Sequence, residues 1–170
     1  MAAAKESGLS GLYIESVTIH PYSQKANFAT GGRETGILLA YIPEGFTFKK
    51  IKDGESAASE RQTAVLFYNP LDRGSVRTIY PPLRHKPMLE RIFASLGLER
   101  QCAEAPEGRV LPETAQIDVE VVAVFGHATV TIMSFGQDLV KRVGDHLEEL
   151  RLGHIDIIYV DLPLADPATQ

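Results

Sequence analysis

The feature that most constrains this chain lies in residues 11–43, GLYIESVTIHPYSQKANFATGGRETGILLAYIP. Val17 and Ile19 fall on a two-residue period, and the run Ile37, Leu38, Leu39, Ala40, Tyr41, Ile42 marks a second extended segment. Between them a proline turn leads into a short helical stretch, residues 24–30. Ser23 is its predicted N-cap, because a serine hydroxyl accepts a hydrogen bond from an otherwise unsatisfied helical N–H. Gly31 and Gly32 form a strong stop. Strand, turn, short helix, glycine pair and strand are therefore expected as one unit.

The rest of the chain supplies what that unit must pack with. Residues 61–69, RQTAVLFYN, read as a strand paired antiparallel with the strand before Pro43, across a polar stretch, residues 44–60, read as an exposed loop. Pro70, Pro81 and Pro82 mark a connector. Pro87 then opens a helix whose apolar stripe is Leu89, Ile92, Phe93 and Leu96, ended by Gly97. After a polar crossover, Ile117, Val119, Val121 and Phe125 alternate with polar positions, Gly126 breaks the run, and Ala128, Val130 and Ile132 alternate again. That is an antiparallel hairpin with one buried face. A helix over residues 137–152 carries Val140, Val143, Leu147 and Leu150, stops at Gly153, and returns through a strand over residues 155–160. A weak internal echo links SVTIHPYSQ (residues 16–24) with YVDLPLADPATQ (residues 159–170).

Composition bounds function by exclusion. The 170 residues are 44% hydrophobic and 23% charged, ordinary for a globular chain, with a net charge of −5 that disfavours a nucleic-acid surface. The single cysteine, Cys102, permits no intrachain disulfide and no thiolate cluster, and is read as an inert thiol. No run approaches the ~18 apolar residues of a membrane span. The first residues hold no apolar signal region. A cytoplasmic protein without nucleic-acid or membrane partners is expected.

The opening unit resembles the C-terminal motif of the GNAT N-acetyltransferase superfamily, in which Asn-x-x-Ser-Gln precedes a Gly-Phe pair. Ser23, Gln24 and Gly31 match that spacing. The hairpin, helix and strand of the second half are similar to the central part of the same fold. The wording of the whole chain is also similar to tandem GNAT-like domains attached to bacterial anti-sigma-factor-type ATP-binding proteins. The resemblance implies an α/β (α+β) fold, a mixed and mostly antiparallel sheet flanked by helices. Residues 1–70 correspond to the C-terminal half, residues 71–114 to a connector with one helix, and residues 115–170 to the central half. Because this order is inverted, the expectation is one permuted sheet, with the strand at residues 155–160 beside the opening unit. Two half-domains, with exposed edges that invite homodimer pairing, are the alternative.

The resemblance implies acetyl-CoA or another acyl-CoA as ligand, but the departures weigh against catalysis. His20 stands at the family's asparagine and Gly32 at its phenylalanine. Asn27 stands where active members place the tyrosine that protonates the leaving thiolate, and an amide cannot do that. The pyrophosphate loop is replaced by MSFGQD (residues 133–138), with one glycine and an acidic Asp138. A degenerate acyltransferase-like module that binds a ligand or protein partner in bacterial signalling is the leading expectation, the partner including an attached ATP-binding domain. An active N-acyltransferase and a structural dimerisation domain are the alternatives.

No catalytic residue is assigned. Candidate ligand-binding residues are Thr18, His20, Ser23, Gln24 and Asn27 at the strand-to-helix turn, where α/β ligand sites gather, with Asp161 at the end of the later strand. Asp161 and Asp166 read first as turn residues and second as an acid pair. His127, His146 and His154 lack metal-ligand spacing, so no metal is expected. Lys49, Lys50 and Lys52 are read as a solvated loop.

Overall fold

The computed structural model describes residues 7–19, 21–46 and 60–170. Over the described residues the chain is a mixed α/β (α+β) structure, mostly antiparallel, with three α-helices and three sheets. It divides into two compact units: the chain up to Val76 with Glu90–Glu99, and Arg77–Leu89 with Arg100–Gln170.

The first unit follows the opening stretch closely. Strand β1 (Gly11–Val17), helix α1 (Tyr22–Ala29), strand β2 (Arg33–Ile42) and strand β3 (Gln62–Pro70) appear in that order. The sheet order is β1-β3-β2, antiparallel throughout, so β3 pairs with β2 as expected and also takes β1. Gly11 lies opposite Pro70 and Val17 opposite Ala64. This register puts Ile14 and Ser16 on the same face as their partners Phe67 and Val65. α1 covers that face, with Phe28 set edge-on to Phe67 at 5.1 Å. Strand β2 is interrupted twice, and at the second interruption Ala40 takes φ 55. Arg61 holds that bulge, its Nε donating to Ala40 O at 2.7 Å. The loop at residues 44–60 falls mostly outside the described residues, and Lys49, Lys50 and Lys52 lie wholly outside them.

Ser23 does not cap α1. The helix begins two residues earlier than expected, with Pro21 in the N-cap position and Lys25 N–H donating to Pro21 O at 2.9 Å. Proline needs no N–H partner there and its restricted φ suits a helix entry. Ser23 therefore sits inside the first turn.

The second unit holds two sheets. Strands β4 (Arg77–Ile79) and β5 (Arg100–Cys102) pair in parallel. Helix α2 (Lys86–Leu96) runs across the division at Leu89 and Glu90, with its predicted stripe half-buried and Leu96 buried. Strands β6 (Gln116–Val122) and β7 (His127–Ser134) form the expected hairpin. Helix α3 (Leu139–Leu152) then crosses to strand β8 (Ile157–Asp161), which runs parallel to β7. The single-sheet expectation fails here: β8 completes a β6-β7-β8 sheet and does not join the strands of the opening unit.

The core of this unit is Ala128, Val130, Ile132, Phe135 and Leu150, with Ile117, Val119, Leu139, Val143 and Ile155 packed against it. Val140, predicted in the stripe, is 86% exposed, and Leu139 takes its place. At 3.6 residues per turn Leu139 lies about 20° from Leu150 around the axis and Val140 about 80° away.

All three helices end in the same hydrogen-bond pattern. In α1, Gly32 N–H reaches Asn27 O and Gly31 N–H reaches Phe28 O; in α2, Leu98 N–H reaches Phe93 O and Gly97 N–H reaches Ala94 O. Gly31 and Gly97 have the positive φ this motif requires. In α3, Ile155 N–H reaches Leu150 O and His154 N–H reaches Arg151 O, so the left-handed residue is His154, φ 59, one position beyond the predicted glycine stop.

Candidate functional site

The strand-to-helix turn of the first unit holds most of the predicted site residues, and the structure gives most of them an internal partner. Thr18 continues β1, donating to Thr63 O from its N–H at 3.1 Å and from its hydroxyl at 2.9 Å. Since Thr18 bonds Thr63 of β3 and Ser10 bonds Leu71 just past the end of that strand, the even-numbered positions of β1 face β3 and the carbonyl of Val17 points away. Gln24 satisfies that carbonyl, its Nε2 donating at 3.1 Å.

Asn27 is the centre of the turn. Only 8% exposed, it donates from Nδ2 to Ser16 Oγ at 2.6 Å, and Ser16 has no exposure. Its backbone carbonyl accepts from Gly32 N–H at 2.9 Å and from the Thr30 hydroxyl at 3.0 Å. Asn69, also buried, donates from Nδ2 to Thr30 O at 2.8 Å. Four side chains thus tie both ends of α1 to β1 and β3. Ser16 and Asn69 were not anticipated from sequence. The signal lay in the two-residue period that places Ser16 on the same face as Ile14, and in the position of Asn69 two residues after Phe67.

Ser23 Oγ is enclosed and has no hydrogen-bond partner among the described residues. His20 lies outside the described residues. Asp161 belongs to the second unit, exposed at the end of β8 and opposite Thr131 of β7. Asp118 of β6 lies opposite the same Thr131 on its other side. Asp166 is structural: its carboxylate accepts from Ala168 N–H at 2.9 Å, capping a short 3-10 turn (Pro167–Thr169), and pairs with Arg109. The bond to Arg109 and that N–H hold the Asp166 carboxyl below its usual range.

The start of α3, where the resemblance would place a pyrophosphate loop, is covered by the chain itself. Gln137 N–H donates to Pro112 O at 2.9 Å and Gln137 Nε2 to Leu111 O at 3.0 Å. The Asp138 carboxylate accepts from Ala115 N–H at 2.7 Å, and the Arg142 guanidinium donates to Ala115 O. Gly136 makes this closure sterically feasible, since a Cβ there would stand 2.1 Å from Ala115 N and 2.4 Å from Thr114 C. The one glycine of MSFGQD serves a close backbone approach.

Two open surface clefts occur elsewhere. One, of about 350 Å³, is lined by Arg151, His154, Ile155, Asp156 and Ile158, and one of about 320 Å³ by Gly8, Leu9, Ser10, Leu71 and Asp72. Neither is lined by a residue of the α1 turn. Among the described residues no three His, Cys, Asp or Glu side chains are grouped to hold a metal ion, and no helix is long and apolar enough to cross a membrane. No family model matches the chain, and no match was found among curated proteins or solved structures.

Proposed function

We propose that the chain is an acyltransferase-like module without acyl-transfer chemistry of its own, which works by binding another polypeptide in bacterial signalling. The observation that carries this reading is the use of Asn27. Where the family resemblance places a thiolate-protonating tyrosine, the chain has an amide committed to Ser16 inside the fold. Two further observations support it: Gln24 is committed to Val17 O, and the start of α3 is covered by residues 111–115 through four hydrogen bonds. A backbone donor already engaged this way is not offered to a diphosphate.

The test is thermal unfolding with and without acetyl-CoA. A ligand present at 100 times its dissociation constant adds ~2.7 kcal/mol, several degrees of Tm for a chain of this size. The expected result is no shift at millimolar acetyl-CoA and no release of free coenzyme A with amine acceptors. A clear shift, or thiol release above background, overturns the proposal in favour of an active N-acyltransferase.

A further inference from the structure

The outer edge of β6 fits a docking partner, and its chemistry says which kind. β6 is a seven-residue strand at the border of the β6-β7-β8 sheet, bonded to β7 on one side only. Such a strand turns alternate N–H and C=O groups outward, a template for a further strand. Gln116, Asp118, Glu120 and Val121 are exposed along it. Ile117 and Val119 face the opposite way and pack against the core.

The side chains beside that edge share one sign of charge. Asp118 lies opposite Thr131, and Thr131 opposite Asp161 of β8, which makes a row of carboxylate, hydroxyl and carboxylate across the sheet. The next row is Glu120, Thr129 and Tyr159. Neither row contains a basic side chain. No ion pair or side-chain hydrogen bond engages Asp118, Glu120 or Asp161 among the described residues.

The other sheet borders suit a partner strand less well. β2 is interrupted twice, β8 has five residues, and Gln24 already occupies the outward carbonyl at the end of β1. A second copy of this chain does not suit β6 either. Outward groups on one strand recur every second residue, so any central self-pairing sets Asp118 or Glu120 against Asp118 or Glu120 of the other copy, and like charges directly opposite are destabilising.

The geometry points to β6 as a strand-addition site for an extended basic segment of another protein, with Lys or Arg opposite Asp118 and Glu120 and apolar residues between them. Main-chain bonds to the open edge supply affinity, and the carboxylates select charge and register. This inference rests on the proposed binding role and names its partner's chemistry.

The test uses the full chain and a labelled peptide of alternating Lys and Val, read by fluorescence anisotropy. The expected dissociation constant is on the order of 10–100 μM, the weak regime of a single added strand. An alternating Glu and Val peptide should bind at least about tenfold more weakly, and the double variant Asp118→Lys, Glu120→Lys should reverse that preference. Two peptides N-methylated at every second residue, in opposite phases, separate strand pairing from plain charge attraction. One phase should lose binding and the other keep it, because only one set of peptide N–H groups faces β6. The inference is overturned if the basic peptide does not bind, if both methylated phases bind equally well, or if the charge-reversed variant keeps the original preference. None of these results bears on acetyl-CoA, so the absence of acyl-transfer chemistry stands or falls on the separate thermal test.

Discussion

Replacing Asn27 tests whether the α1 turn is scaffold or site. Asn27→Ala removes the amide that donates to Ser16 Oγ at 2.6 Å and leaves that hydroxyl without its partner at a position with no solvent exposure. The lost bond is worth about 1 kcal/mol net, and the stranded buried hydroxyl costs a further ~1–2 kcal/mol. Alanine's better helix propensity offsets roughly 0.5 kcal/mol. The expected loss is therefore about 2 kcal/mol. Ser16→Ala strands the amide instead and should cost about 1.5–2 kcal/mol. The double variant has no stranded partner, so it should cost only about 0.5–1 kcal/mol in all, well short of the summed singles, and the cycle should return a coupling of ~3 kcal/mol. Urea unfolding followed by far-UV circular dichroism measures all four proteins at equal m. The reasoning is refuted if Asn27→Ala is neutral or stabilising, as removal of residues kept for a ligand often is, or if the two single effects simply add.

Three further outcomes are expected. Gly136→Ala should cost roughly 3–5 kcal/mol, because its Cβ would fall 2.1 Å from Ala115 N and displace the segment that bonds Gln137 and Asp138; a loss under about 1 kcal/mol in the same unfolding assay would sink the close-approach argument. His154→Gly should raise stability by about 0.5 kcal/mol, since φ 59 is strained for a side chain and glycine's extra unfolded-state entropy offsets part of the gain, and a lowered Tm would contradict it. For Asp166, whose folded-state carboxyl is held down by Arg109, the stabilisation is complete above the unfolded carboxylate pKa near ~3.9 and lost as pH falls through the lower folded value. The Tm gap between the wild type and Asp166→Asn should therefore close between about pH 5 and pH 2; a gap independent of pH assigns the effect to the turn and not to the charge.

What the sequence disclosed about the fold follows the range of the interactions involved. Helix ends marked by Gly31 and Gly97 were legible because the motif is local and glycine fills its left-handed position. The β6 and β7 hairpin was legible because one face is buried and the two-residue period survives in Ala128, Val130 and Ile132. The pairing of β8 was not. An apolar strand after a helix can join any open border, and only packing of Leu139, Val143 and Leu150 on the sheet selects β7. The end of α3 at Leu152, with Gly153 as its C-cap, was legible too, but packing of Ile155 against the core that holds Leu150 puts the left-handed residue at His154 and not at the glycine.

The candidate site was harder to read for a related reason. A helix that begins five residues after its strand ends leaves the Val17 carbonyl, the last carbonyls of α1 and the buried Ser16 hydroxyl close together, and each must find a partner. Gln24, Asn27, the Thr30 hydroxyl and Asn69 supply those partners. From sequence alone, a polar side chain that caps a strand carbonyl looks the same as one that waits for a ligand. The distinction needs the register that brings Asn69 beside Thr30, and that register is set by β1 and β3 over fifty residues of separation. Of the predicted residues described, Asp161 alone is exposed with its carboxylate unengaged. It stands in the acidic row with Asp118. The chemistry left over after folding therefore lies on a sheet face that repels its own kind, and recognition of an oppositely charged strand is what such a face is fitted to do.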